Sequence, residues 1–154
     1  MEFPQSLTDD AFETFCCRGA VLRFLMTDLD DPARSERNKY AIVLNVDPSD
    51  PEVLLVLTTS NIEWFKTARD WAKNAVLSLA KGSYPWVTGE TIVDLRVVRA
   101  YPASVFKSAY RTGKLTFHGQ LTNTDLQLVD GKLRNSPTIT GAILKRIVPE
   151  GSNR

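Results

Sequence analysis

Three hydroxyl residues in a row, Thr58, Thr59 and Ser60, close the apolar run Val53-Leu-Leu-Val-Leu57, and three basic residues, Arg34, Arg37 and Lys39, precede an earlier apolar run, Tyr40-Ala-Ile-Val-Leu44. Cations beside hydroxyls are what a phosphodiester needs. Arg or Lys neutralises phosphate charge as it builds in a transition state, and hydroxyls donate hydrogen bonds to the phosphate oxygens. RNA supplies its own nucleophile, the 2′-hydroxyl, so this chemistry requires neither a metal nor a cysteine. A second pair, Asp94 and Arg96, lies in a later apolar run, two residues apart and so on one face if that run is a strand. A plainer reading stays open: Thr58 to Ser60 cap a helix beginning near Ile62, and the charges belong to a solvated loop.

Other chemistries find less support. The sequence has no phosphate-cradling glycine loop, no nucleophile elbow, no H-E-x-x-H pattern and no paired cysteine ligands. Cys16 and Cys17 are adjacent and are the only cysteines, so a mutual disulfide would be strained; with His118 as the one histidine there are too few soft ligands for zinc. Both thiols read as structural or incidental, and neither a metal nor a cofactor is expected. His118 has the intrinsic pKa of a general base, but it sits between Phe117 and Gly119, far along the chain from the threonines, and reads as a structural or surface residue.

Nineteen basic against eighteen acidic residues give a net charge of +1, so the whole chain has no pull toward nucleic acid or membrane, and any basic site is a local patch. No run approaches the roughly 18 apolar residues of a membrane span, and no basic stretch followed by an apolar one opens the chain. A cytoplasmic protein is the expectation. With 43% hydrophobic and 24% charged residues in 154, a single domain spanning 1–154 is also expected.

The elements that would position these groups follow from periodicity. Ser6 and Thr8 ahead of Phe12 and Phe15 predict a short helix to about Cys17, and Arg18-Gly19 ends it. Strands are predicted over 20–26, 40–46, 53–57, 75–80 and 91–99, with a long polar loop over 28–38 and the two-proline turn Asp47-Pro-Ser-Asp-Pro-Glu52 between the second and third. Ile62, Trp64, Phe65, Ala68 and Trp71 are spaced for an amphipathic helix over 61–73, its tryptophan stripe either covering one end of the sheet or stacking on bases. Two helices are predicted over 122–135 and 138–147, with Pro137 at the start of the second. About five strands with one inserted helix point to a mainly β fold with helices, a small SH3-like antiparallel barrel. If strands two and three pair antiparallel, Lys39 and Arg37 come close to Thr58 and Thr59 at one rim.

The order Gly19-Ala-Val-Leu-Arg-Phe24, polar loop, Lys39-Tyr-Ala-Ile-Val-Leu-Asn45, Leu54-Leu-Val-Leu-Thr-Thr-Ser60, Val93-Asp-Leu-Arg-Val-Val98 and Gly119-Gln-Leu-Thr-Asn-Thr-Asp-Leu126 resembles the MazF/PemK-like toxins, the mRNA interferases of type II toxin-antitoxin systems. The likeness runs over roughly residues 18–148, with 1–17 as an N-terminal helical extension. It implies an SH3-like barrel, usually a homodimer, that cuts single-stranded RNA sequence-selectively, without a metal, and is blocked by a cognate antitoxin protein. It places the catalytic cation at Lys39 or Arg37, the catalytic hydroxyl at Thr58 and an acidic residue that aids proton transfer or RNA placement at Asp94. Arg34, Thr59, Ser60 and Arg96 would contact RNA. Asn38-Lys39-Tyr40 stands where the family carries an arginine followed by proline. A non-catalytic RNA- or protein-binding module on the same barrel is the alternative.

Overall fold

The computed structural model describes residues 5–25, 38–60, 62–67 and 74–149. In chain order these form α1 (Gln5–Phe15), β1 (Ala20–Leu25), β2 (Asn38–Val43), β3 (Glu52–Thr59), α2 (Ile62–Thr67), β4 (Val76–Leu79), β5 (Thr91–Asp94), β6 (Arg99–Pro102), α3 (Ala103–Arg111), β7 (Leu115–Gln120), α4 (Asn123–Arg134) and α5 (Gly141–Ile147). Arg34 and Arg37 in the polar loop expected over 28–38, the end of the helix expected over 61–73 with Trp71, and the side chain of Trp64 lie outside the described residues. None of the described helices is long and apolar enough to cross a membrane.

All described strands join one antiparallel sheet in the order β4-β5-β3-β2-β1-β7, with β6 also pairing β3. The expected closed barrel is not formed among the described residues, because β4 and β7 end the order without pairing each other. The run expected as one strand over 91–99 is also broken. Asp94 accepts a hydrogen bond from the Arg96 backbone N–H at 3.1 Å, the side-chain turn typical of aspartate, and this takes the chain out of the ladder. Two strands result. β5 pairs the C-terminal end of β3, Thr58 with Val93, and β6 pairs its N-terminal half, Val53 with Tyr101.

Strand alternation builds two cores. Val21, Ile42, Leu54, Val56 and Val93 face Val129, Leu133 and Ile147 of α4 and α5, while Leu22, Phe24, Ala41, Val43 and Leu55 face Phe12 of α1 and Phe106 and Ala109 of α3. Cys16 lies in this second core, where burial first, and then its neighbour Cys17, pushes its thiol up to about 12. Asn45 fixes the β2–β3 connection. Its side chain donates to the Glu52 carbonyl and accepts from the Leu54 N–H, both at 2.8 Å, standing in for a backbone partner just past the end of β2.

The C-terminal helices are capped and tethered. Thr122 and Thr140 accept from Asp125 and Ile143 backbone N–H groups, so the second helix begins at Gly141 rather than 138. The Tyr84 hydroxyl donates to Asp125 at 2.5 Å and accepts from the Thr122 N–H at 2.9 Å, tying the cap of α4 to the loop before β5. Arg18, just before β1, forms an ion pair with buried Asp130 and donates through Nε to the Ile147 carbonyl at 3.1 Å, joining β1 to both helices.

Removing one member of a buried ion pair strands the other charge, so Asp130→Ala is expected to cost about 3–5 kcal/mol in urea unfolding. The double variant Arg18→Met with Asp130→Leu is expected to recover most of that loss.

Candidate phosphate-binding rim

The β2–β3 ladder pairs Ala41 with Leu57, Ile42 with Val56 and Val43 with Leu55. Continued toward the sheet end, this register sets Tyr40 opposite Thr58 and Lys39 opposite Thr59. Opposed residues share a face and consecutive ones alternate. Lys39 and Thr59 therefore present to one face. On β5, Ile92 pairs Thr59, and Asp94, two residues on, shares that face. Thr58 points the other way, is 7% exposed, and donates its hydroxyl to the Tyr40 carbonyl at 3.0 Å. The three hydroxyls expected to line one rim are thus divided: Thr59 faces Lys39, Thr58 is a buried tie between β2 and β3, and Ser60 is exposed at the strand end with its carbonyl accepting from the Ile62 N–H.

Lys39 is half-buried and forms no ion pair among the described residues, whereas Arg18, Arg96, Lys107 and Arg146 each hold a carboxylate. Arg96 grips Asp94 bidentately, Nε to Oδ1 at 2.9 Å and Nη2 to Oδ2 at 2.8 Å, and the hydrogen bond to Asp94 raises the Arg96 pKa further above its ordinary value. Its guanidinium lies 5.1 Å over the ring of Phe65, which α2 buries against Val76 and Ile92. With both oxygens engaged, Asp94 serves to anchor Arg96 beside the rim. Arg96 itself sits just past β5 rather than within a strand. The structure brings Lys39, Thr59, Asp94 and Arg96 to one face and end of the sheet, while Arg34 and Arg37 lie outside the described residues.

The opposite face holds polar residues that sequence reasoning did not bring together: Arg23, Tyr40, Thr116 and His118. Their signal was present in the alternation of Leu115-Thr-Phe-His118, in which Leu115 and Phe117 pack inward and Thr116 and His118 do not. Burial, and secondarily the Arg23 charge, holds the His118 imidazole below its ordinary pKa, so it is neutral near pH 7. No protein-family model matches the chain, and no curated protein is significantly similar to it.

Replacing Thr58 by Val keeps the volume and removes only the hydrogen bond to the Tyr40 carbonyl. A stability loss of about 0.5–1.5 kcal/mol is expected in chemical unfolding.

Proposed function

We propose that the protein is a metal-independent endoribonuclease of the MazF/PemK-like, toxin type, acting on single-stranded RNA at the Lys39–Thr59 rim. The observation that carries this reading is the register, which, continued two residues beyond the Ala41–Leu57 pair, sets Lys39, with no carboxylate partner among the described residues, opposite Thr59 on the same face, with Arg96 at the same end. In this reading the open sheet is a variant of the SH3-like barrel. An antitoxin that covers the rim, a second copy of the chain as dimer partner and a cytoplasmic setting belong to the same proposal.

The proposed step is a transesterification. The RNA 2′-oxygen forms a bond to phosphorus, the bond from phosphorus to the 5′-oxygen breaks, and the proton leaving the 2′-hydroxyl reaches the departing 5′-oxygen through water. The products are a 2′,3′-cyclic phosphate and a 5′-hydroxyl end. Lys39 neutralises the phosphate oxygens as negative charge grows on them, and Thr59 donates a hydrogen bond to one of them. Lysine acts here as a point charge without arginine's two-pronged fork. Thr59 replaces Thr58 as the proposed hydroxyl because the register turns Thr59 to the face of Lys39, while Thr58 is buried on the other face. Asp94 acts by placing Arg96, which contacts the RNA backbone.

One observation favours the non-catalytic alternative: the only carboxylate on this face of β5 has both oxygens bound by Arg96, which leaves proton transfer to water. Incubation with a long single-stranded RNA in EDTA separates the two readings. The endoribonuclease is expected to give site-selective fragments with cyclic-phosphate ends, Lys39→Ala and Thr59→Ala to slow their formation by about 10²-fold or more, and Thr58→Val to cut at near the wild-type rate. RNA left intact across many sequences would assign the rim to binding alone.

A further inference from the structure

The face opposite the rim carries a second cluster that the proposed cleavage chemistry does not use. β1 lies between β2 and β7, and the two registers set Arg23 opposite Tyr40 on one side and opposite Thr116 on the other. His118 is two residues beyond Thr116 and shares its face. The Arg23 guanidinium carbon lies 6.0 Å from the centre of the Tyr40 ring, and the His118 ring meets Tyr40 edge-on at 5.4 Å. Nε2 of His118 is 2.9 Å from the Thr116 hydroxyl. Beneath them the buried Trp86 ring stacks on Tyr40 at 5.0 Å and fixes its plane.

Two features set this cluster apart from simple packing. Arg23 is exposed, and no carboxylate among the described residues pairs with it. An exposed cation over an aromatic ring gains little, so the fold does not account for an arginine there. The second ring nitrogen of His118, Nδ1, has no hydrogen-bond partner among the described residues.

We infer that Arg23, Tyr40, Thr116 and His118 form a nucleotide-binding subsite for single-stranded RNA on the sheet face opposite Lys39 and Thr59; this rests on RNA being the ligand of the rim. The Arg23 fork matches a phosphate, which it can hold through two parallel hydrogen bonds. His118, with one nitrogen bonded to Thr116, offers the other to a base edge, and its ring provides a surface on which a base stacks. Lys39 and Tyr40 are consecutive on β2, about 3.3 Å apart along the strand. An RNA strand crossing this end of the sheet therefore meets both faces, and the subsite selects a nucleotide that flanks the cleaved bond.

The chain has one histidine, so its imidazole resonances are unambiguous in NMR spectra. A 2′-O-methyl single-stranded RNA oligonucleotide lacks the attacking hydroxyl and stays intact during a titration. Its addition is expected to shift the His118 ring resonances along a saturating curve. Arg23→Gln is expected to bind it about tenfold more weakly and with a salt dependence shallower by about one released counterion. Arg23→Lys, which keeps the charge and loses the fork, should fall between the two. Cleavage of long RNA by Arg23→Gln should persist with reduced site selectivity. A complex saturated by other resonances, with His118 unmoved and both Arg23 variants binding like wild type, would overturn the subsite and leave the ribonuclease reading standing. No binding and no cleavage by the wild-type protein would overturn the ribonuclease reading itself.

Discussion

β3 is eight residues long and is held along one edge by β2, while its other edge is shared between β6 at its beginning and β5 at its end. Every element that matters for the rim takes its position from that strand. Because side chains alternate along it, a single choice of register decides which of two adjacent threonines meets Lys39 and which is turned into the sheet. The register is pinned at the far end of the hairpin, where Asn45 bonds both Glu52 and Leu54 through its side-chain amide. Slippage by one residue would exchange Thr58 and Thr59 and swap Leu54 and Val56 with Val53 and Leu55 between the two cores.

Electrostatics divides the molecule in a similar way. Cations that hold the fold together are paired: Arg18 with Asp130 between β1 and α4, and Arg146 of α5 with Asp50 and Glu52 around the β2–β3 turn. The Arg146 hydrogen bond, opposed by burial, holds the Asp50 carboxyl below its usual range. Its contribution to stability is therefore complete above the ordinary aspartate pKa and fades as pH falls through the lower folded-state value. Lys39 and Arg23 stand outside this pattern, on neighbouring strands near the same end of the sheet.

Much of the architecture was legible in the chain. The apolar runs of β1, β2 and β3 and the Asp47–Glu52 turn announce a hairpin, and the periodic segments after Leu121 announce the last two helices. What escaped depended on individual side chains. The break between β5 and β6 rests on one carboxylate bonding an N–H two residues on, which no periodicity records. β7 was missed because Leu115–Gln120 is short and contains Gly119 in the left-handed region at φ 89°. The candidate rim was half visible: residue types and nearness were readable, whereas the face each one takes required the register.

Arg96 joins three parts of the molecule at once. Its guanidinium holds Asp94 at the end of β5 and lies over Phe65 of α2, while its carbonyl oxygen accepts a hydrogen bond of 2.7 Å from Thr138 in the connection between α4 and α5. An edge so joined does not fray strand by strand. Opening at the rim therefore also breaks the Thr138 bond to the α4–α5 connection, which couples the stability of the two segments.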